Sequence, residues 1–132
     1  HAVLCQLSFA TIVDPAARVS RFARIGCGTV IYQGVTITSN AVIGDHVLVL
    51  PNTTIHHDVV IDDYAIVGSG VTLAGGCRIG RSAFVGSAGS VRNGIAVGAE
   101  ALVGMAANVT RDVAEGTVVA GNPARPIPRR AG

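Results

Sequence analysis

Two histidines and an acid stand together in Asn52-Thr-Thr-Ile-His-His-Asp58, and these are residue types suited to moving a proton. An imidazole titrating near neutral pH can take a proton from an attacking amine or hydroxyl, and a neighbouring carboxylate holds the ring and stabilises its charged form. Acyl transfer needs one thing more, a hydrogen-bond donor where negative charge develops on the acyl carbonyl oxygen. His57 is therefore the candidate base and Asp58 its partner, while His46 and His56 are expected to be surface residues.

The elements that must position this pair are set by a period of six. From Val13 through Val19, Ile25 and Ile31 to Val109, seventeen consecutive positions at this spacing are Val, Ile or Leu without exception. Two residues before each lies a second series that is small or β-branched, running from Thr11 and Ala17 through Cys77, Ala83 and Gly89 to Ala107. Glycine recurs just after the aliphatic position, at Gly26, Gly44, Gly68, Gly80, Gly86, Gly98 and Gly104, where turns of positive φ are expected. Neither a helix of period 3.6 nor an alternating strand produces this series. A hexapeptide β-helix does: each hexapeptide gives a short strand and a corner, three close one triangular coil, and the aliphatic residues stack inside it. The pattern predicts a left-handed parallel β-helix over residues 13–114, five to six coils and roughly 25 Å tall, between a lead-in at 1–12 and a capping tail at 115–132. The tail is placed where the repeat reaches Glu115 instead of an aliphatic residue.

Composition agrees with that interior and excludes several classes. The 132 residues are 49% hydrophobic with 17 Gly, yet hold no Trp, three Phe and two Tyr, so the narrow core must be aliphatic. A net charge of +2 gives no footprint for nucleic acid, and every basic residue is Arg. Mean hydropathy is +0.52, but no apolar run is long enough to span a bilayer, and no secretory leader is legible, so a cytoplasmic location is expected. Cys5, Cys27 and Cys77 are odd in number and far apart, which suggests reduced thiols, with Cys77 in the core and Cys27 at an outer corner. Two glycosylation sequons, at Asn52 and Asn108, carry no weight without secretion, and no phosphate-binding loop or dinucleotide fingerprint occurs.

An 18-residue coil places Ser39 one coil before His57 and Gly75 one coil after it, with Asn93 following. A bare residue beside an imidazole leaves room for a ligand and exposes a backbone N–H. His57 and the Gly75 amide thus form a base and an oxyanion donor.

The stretches Ile55-His-His-Asp-Val-Val-Ile61, Leu73-Ala-Gly-Gly-Cys-Arg-Ile-Gly80 and Gly121-Asn-Pro-Ala-Arg125 resemble the hexapeptide-repeat acyltransferases. The nearer likeness is to the sialic acid O-acetyltransferases and the acetyltransferases acting on nucleotide-linked amino sugars. The resemblance implies an acetyl-CoA-dependent acetyltransferase acting on an amine or hydroxyl of a sugar. It implies His57 and Asp58 as catalytic residues, Gly75, Ser87 and Met105 as acetyl-CoA contacts, no metal, and a homotrimer with sites between subunits. Arg125, Arg129 and Arg130 become candidates for the cofactor's phosphates. Three departures stand against the family pattern. Ile66 replaces a second histidine near the thioester, Asp14-Pro15 replaces His-Pro before the first coil, and residues 1–12 do not supply the Rossmann-like domain that holds the nucleotide in relatives. The same coil also hosts non-catalytic assembly modules and a zinc carbonic anhydrase, although His46, His56 and His57 lack the latter's spacing.

Overall fold

The computed structural model describes residues 9–128 and contains strands and turns without a helix. Three parallel faces wind around one another. The first gathers Ile12–Val13, Val30–Ile31, Leu48–Val49, Ile66–Val67, Phe84–Val85, Leu102–Val103 and Val118–Ala120. The second gathers Arg18–Val19, Thr36–Ile37, Thr54–Ile55, Thr72–Leu73, Ser90–Val91 and Asn108–Val109, and the third gathers Arg24–Ile25, Val42–Ile43, Val60–Ile61, Arg78–Ile79 and Ala96–Val97. Neighbours in a face are 18 residues apart, as in Thr54↔Thr72 and Ile66↔Phe84. This is the hexapeptide β-helix that the period of six demands.

Each two-residue strand puts its second residue inside. From Ile25 to Val109 every member of the aliphatic series is buried, whereas Val13 and Val19 at the open first coil are not fully covered. Burial of one such side chain is worth about 1.5–3 kcal/mol, so stability rests on repetition of one small contact. The companion series lines the corners from within. Thr53 is fully buried there, with its hydroxyl donating to Gly68 O at 2.6 Å and accepting from Val71 N at 3.1 Å. Thr29 bridges Gly44 O and Val47 N in the same way.

The corner glycines act differently from the sequence expectation. Positive φ falls three residues after the aliphatic position, beginning at Gly28 and Gly34 and recurring at six-residue steps, and Asn40, His46, Asn52, Asp58, Tyr64, Ala88 and Ala106 all adopt it. Gly68 and Gly86, just after the aliphatic position, are absent from that series. They are needed because the next coil crosses closely: a β-carbon on Gly68 would stand 2.6 Å from Ser87 N, and one on Gly86 would stand 2.8 Å from Met105 N.

The upper end also departs from expectation. The inward ladder does not stop before Glu115; Val113 takes the next inward slot four residues after Val109, and Val119 follows. Val97 pairs with Val113 and Leu102 with Val118, so the last coil is shortened by two residues. The expected boundary at 114/115 thus falls inside a coil. Arg125–Ile127 then turns back antiparallel on Val118–Ala120, and Ala124 N bonds Asn108 O at 2.8 Å, folding the segment over the last coil. Arg129 and Arg130 lie outside the described residues, as do most of residues 1–12.

Candidate functional site

His57 and Asp58 occupy the corner between the second and third faces, one turn past the buried Ile55. Asp58 sits in the left-handed region (φ 60°), which brings its carboxylate back toward the preceding ring. His57 Nδ1 lies 3.0 Å from Asp58 Oδ2, and both side chains are more than half exposed. An ionised carboxylate only accepts, so Nδ1 is the donor, and the lone pair of the neutral ring is on Nε2.

Nε2 faces the next coil, and Gly75 is there. A β-carbon on Gly75 would fall 2.5 Å from both Cε1 and Nε2 of His57, so the ring lies in space that any other residue would fill. The backbone at this corner has a further property. The amides of Cys27, Asp45 and Ser69, at equivalent places on other corners, are capped by side chains one coil later: Asp45 at 2.8 Å, Asp63 at 2.8 Å and Ser87 at 3.2 Å. Asn93, the corresponding side chain above Gly75, points its amide at Gly75 O over 3.5 Å instead. The Gly75 N–H has no partner among the described residues, although the residue itself is buried. A lone-pair nitrogen and an N–H without a partner among the described residues thus lie on neighbouring coils of one corner, groups of the kind that acyl transfer uses.

Two residues that sequence reading did not single out enlarge this opening. Gly76 and Gly94 stand directly above Asp58 in successive coils, and a β-carbon on either would meet nothing within 4 Å. Their signal was available in the 18-residue step that already located Gly75.

Ser87 and Met105 lie elsewhere. They stack one coil apart on the corner between the first and second faces, where Ala106 N bonds Ser87 O at 2.9 Å. Their own N–H groups have no partner among the described residues, and Met105 is 76% exposed. One chain thus brings His57, Asp58 and Gly75 together and sets Ser87 and Met105 on a different edge of the triangle.

The remaining candidates resolve into structure. His46 is half-buried, stacked on Tyr64 with centroids 5.2 Å apart and met edge-on by Phe9. His56 is half-buried as well. Cys77 is in the core, where burial pushes its thiol up to about 12. Cys27 corrects the expectation of a reduced, exposed thiol: it is buried and disulfide-bonded, while Cys5 lies outside the described residues. Among the described residues no cluster of three or more His, Cys, Asp and Glu within one chain could hold a metal ion. Arg125 lines a cavity of about 410 Å³ at the capped end, together with Arg111, Val109, Val113 and Val119.

Residues 40–75 match the family model of the bacterial transferase hexapeptide (six repeats). The chain is a hexapeptide-repeat β-helix, and the matched segment lies within its coils. Among solved structures it is similar to a mutant of perosamine N-acetyltransferase from Caulobacter crescentus in complex with CoA and GDP-perosamine, with TM-score 0.91 and 29% identity. That likeness covers 92% of this chain and 58% of the other. It is also similar to the acetyltransferase domain of PglB from Neisseria gonorrhoeae, with TM-score 0.89 and 32% identity over 90% of this chain and 58% of that one. LpxA from Bacteroides fragilis, a UDP-N-acetylglucosamine acyltransferase, shares the fold at 20% identity and TM-score 0.80, covering 88% of this chain and 52% of that one. Comparison with the curated proteins gives no match. The chain spans well under two thirds of the length of these solved relatives. The structural neighbours of this hexapeptide β-helix are thus acyltransferases.

Proposed function

We propose that this β-helix transfers an acetyl group from acetyl-CoA to the amine, or a hydroxyl, of a nucleotide-linked sugar. The observation that carries the reading is the placement of His57 Nε2 against Gly75, whose N–H has no partner among the described residues, with Asp58 fixing the far side of the ring. The acceptor nitrogen or oxygen forms a bond to the thioester carbonyl carbon as His57 Nε2 takes its proton. Negative charge on the carbonyl oxygen is met by the Gly75 N–H, and a preorganised donor of this kind is worth about 3–4 kcal/mol of barrier. Collapse breaks the carbon–sulfur bond, and the imidazolium returns the proton to the departing thiolate. The perosamine N-acetyltransferase structure holds CoA, and PglB's acetyltransferase domain has been solved with acetyl-CoA itself, which supports the choice of donor.

The active assembly in this reading is a homotrimer working in the cytoplasm, where acetyl-CoA is made. The outward row of the first face is apolar throughout, namely Ile12, Val30, Leu48, Ile66, Phe84, Leu102 and Val118, whereas the second face presents Arg18, three Thr, Ser90 and Asn108. A sheet face of that kind is an interface seeking a partner. Packing it on the next copy brings the Ser87 and Met105 amides, at its rim, to a neighbour's His57 corner. Ile66 belongs to this apolar row, so the thioester is placed here by backbone amides and not by a second imidazole.

The deciding experiment follows CoA thiol release with amino-sugar and nucleotide-sugar acceptors. His57→Ala is expected to lose activity by about a hundredfold or more while binding acetyl-CoA normally. Turnover that survives within a fewfold removes His57 from the mechanism, and no acetyl-CoA binding by the wild type in a titration returns the chain to the class of assembly modules.

A further inference from the structure

The corner that carries His57 has polarity along its length. Toward the C-terminal end it is open around Gly75, Gly76 and Gly94, with Asn93 as the side chain above Gly75, and the amides of Ser87 and Met105, without a partner among the described residues, belong to these later coils. This is the side with room for the long acyl donor. With the donor there, the acceptor atom meets Nε2 at the exposed outer edge of the ring, and the rest of the acceptor runs the other way, over Ser39 and Asn40 and toward the first coil.

The first coil is cationic. Arg21 stands in the same corner column as Ser39, His57 and Gly75, two coils below the base, which at the spacing of stacked strands is about 10 Å. Arg18 flanks it on the second face and Arg24 on the third. All three are exposed, and none makes an ion pair among the described residues, unlike Arg78 with Asp62 and Arg81 with Asp63. The nearest acids are engaged: Asp14 Oδ1 accepts from Ala16 N, and Asp58 holds His57. The Arg21 guanidinium lies over the Phe22 ring at 4.9 Å, and Phe22 N bonds Ser20 Oγ at 3.1 Å, so the cation is held at the corner while its N–H edge stays free.

Resting on the function proposed above, we infer that Arg21, with Arg18 and Arg24 beside it, binds a phosphate or diphosphate on the acceptor, and so selects sugars carrying that group over free sugars. A pyranose ring with a phosphate ester at the carbon opposite its amine spans the gap between His57 and the corner arginine. The anion also offers the planar guanidinium a paired set of acceptor oxygens, the geometry Arg recognises best.

The test has two arms. In the first, the intact chain is titrated with inorganic pyrophosphate, and Arg21→Ala is expected to weaken binding about tenfold or more, with Arg21→Lys recovering part of the loss. Unchanged affinity overturns the proposal. In the second, acetyl transfer to an amino sugar is compared with transfer to the same sugar as its 1-phosphate. Arg21→Ala is expected to raise KM for the phosphate about tenfold, leaving KM for the free sugar and for acetyl-CoA in place. Equal changes for the two acceptors, or a variant whose assembly disperses, assign Arg21 to packing and overturn the proposal. If no acceptor is acetylated by the wild type, the functional reading fails by itself, and the pyrophosphate titration still decides the role of Arg21.

Discussion

The imidazole of His57 occupies the space that a side chain on Gly75 would need, with the would-be β-carbon 2.5 Å from Nε2. The three atoms nearest a methyl group there all belong to an exposed ring, which can swing away. Gly75→Ala is therefore expected to leave thermal stability within about 1 kcal/mol of the wild type, the range of ordinary Gly→Ala effects. Acetyl transfer should fall about a hundredfold or more, because the base leaves the oxyanion donor. Equal losses of stability and activity would show that the glycine is there for the coil and not for the ring.

Two glycines two residues apart separate the physical reasons for glycine in this repeat. Gly68 faces the backbone of the next coil, with Ser87 N, Val85 O and Gly86 C all within 3.0 Å of a built β-carbon. None of these atoms can yield without opening the stack. Gly70 has φ +63° but open space around it, and Ala88 and Ala106 hold the same conformation in later coils. Gly70→Ala is expected to cost about 1 kcal/mol, the usual left-handed penalty, and Gly68→Ala about 3 kcal/mol or more. Denaturant unfolding of the two variants checks the order; a reversed order would refute the close-approach account.

These glycines also show what the sequence made legible. The period of six located every buried rung from Ile25 to Val109, because burial in a coil this narrow leaves no choice of residue. The same step of 18 paired His57 with Gly75, and the structure brings the two into contact. The role of the glycines after the rungs was misjudged, since spacing says where a small residue recurs and not whether φ or a neighbouring coil requires it. The shortened coil at Val113 was hidden for a related reason: two residues dropped from a corner shift the phase, although the next valine still finds the inward slot. Ser87 and Met105 follow from the family resemblance carried along the register, and within one chain they stand on a different corner from His57, because register fixes a residue's height in the stack and not which edge a ligand follows.

Thr53 tests whether coils are joined through the companion positions. Its hydroxyl is fully buried and satisfies both Gly68 O and Val71 N, one coil on. Thr53→Val keeps the volume and leaves a buried donor and acceptor unpaired, at about 1–3 kcal/mol for each. A loss of about 3 kcal/mol by denaturant unfolding is expected, against less than 1 kcal/mol for Thr54→Val, since Thr54 is the next residue but opens the strand Thr54–Ile55 with its side chain outward. Similar values for the two variants would mean that the hydroxyl bridge contributes nothing.

The apolar first face makes a prediction about assembly that also reaches catalysis. Phe84 and Leu102 are neighbours in that row, 40% and 41% exposed in the isolated chain, and large apolar side chains adjoining in one row are uncommon on a monomer's surface. A charge at either position costs nothing inside the coil, because both side chains point away from it. Phe84→Arg with Leu102→Arg is therefore expected to leave the unfolding of a single chain nearly unchanged while shifting its mass in solution from trimer to monomer. In the proposed assembly the Ser87 and Met105 amides reach a neighbour's His57 corner, so acetyl transfer is expected to vanish with the trimer although His57, Asp58 and Gly75 remain intact within each chain. Sedimentation and thiol release measured on the same sample decide the matter. A fully active monomer would show that one chain holds the whole site, and an inactive trimer would place the damage in the coil instead of the interface.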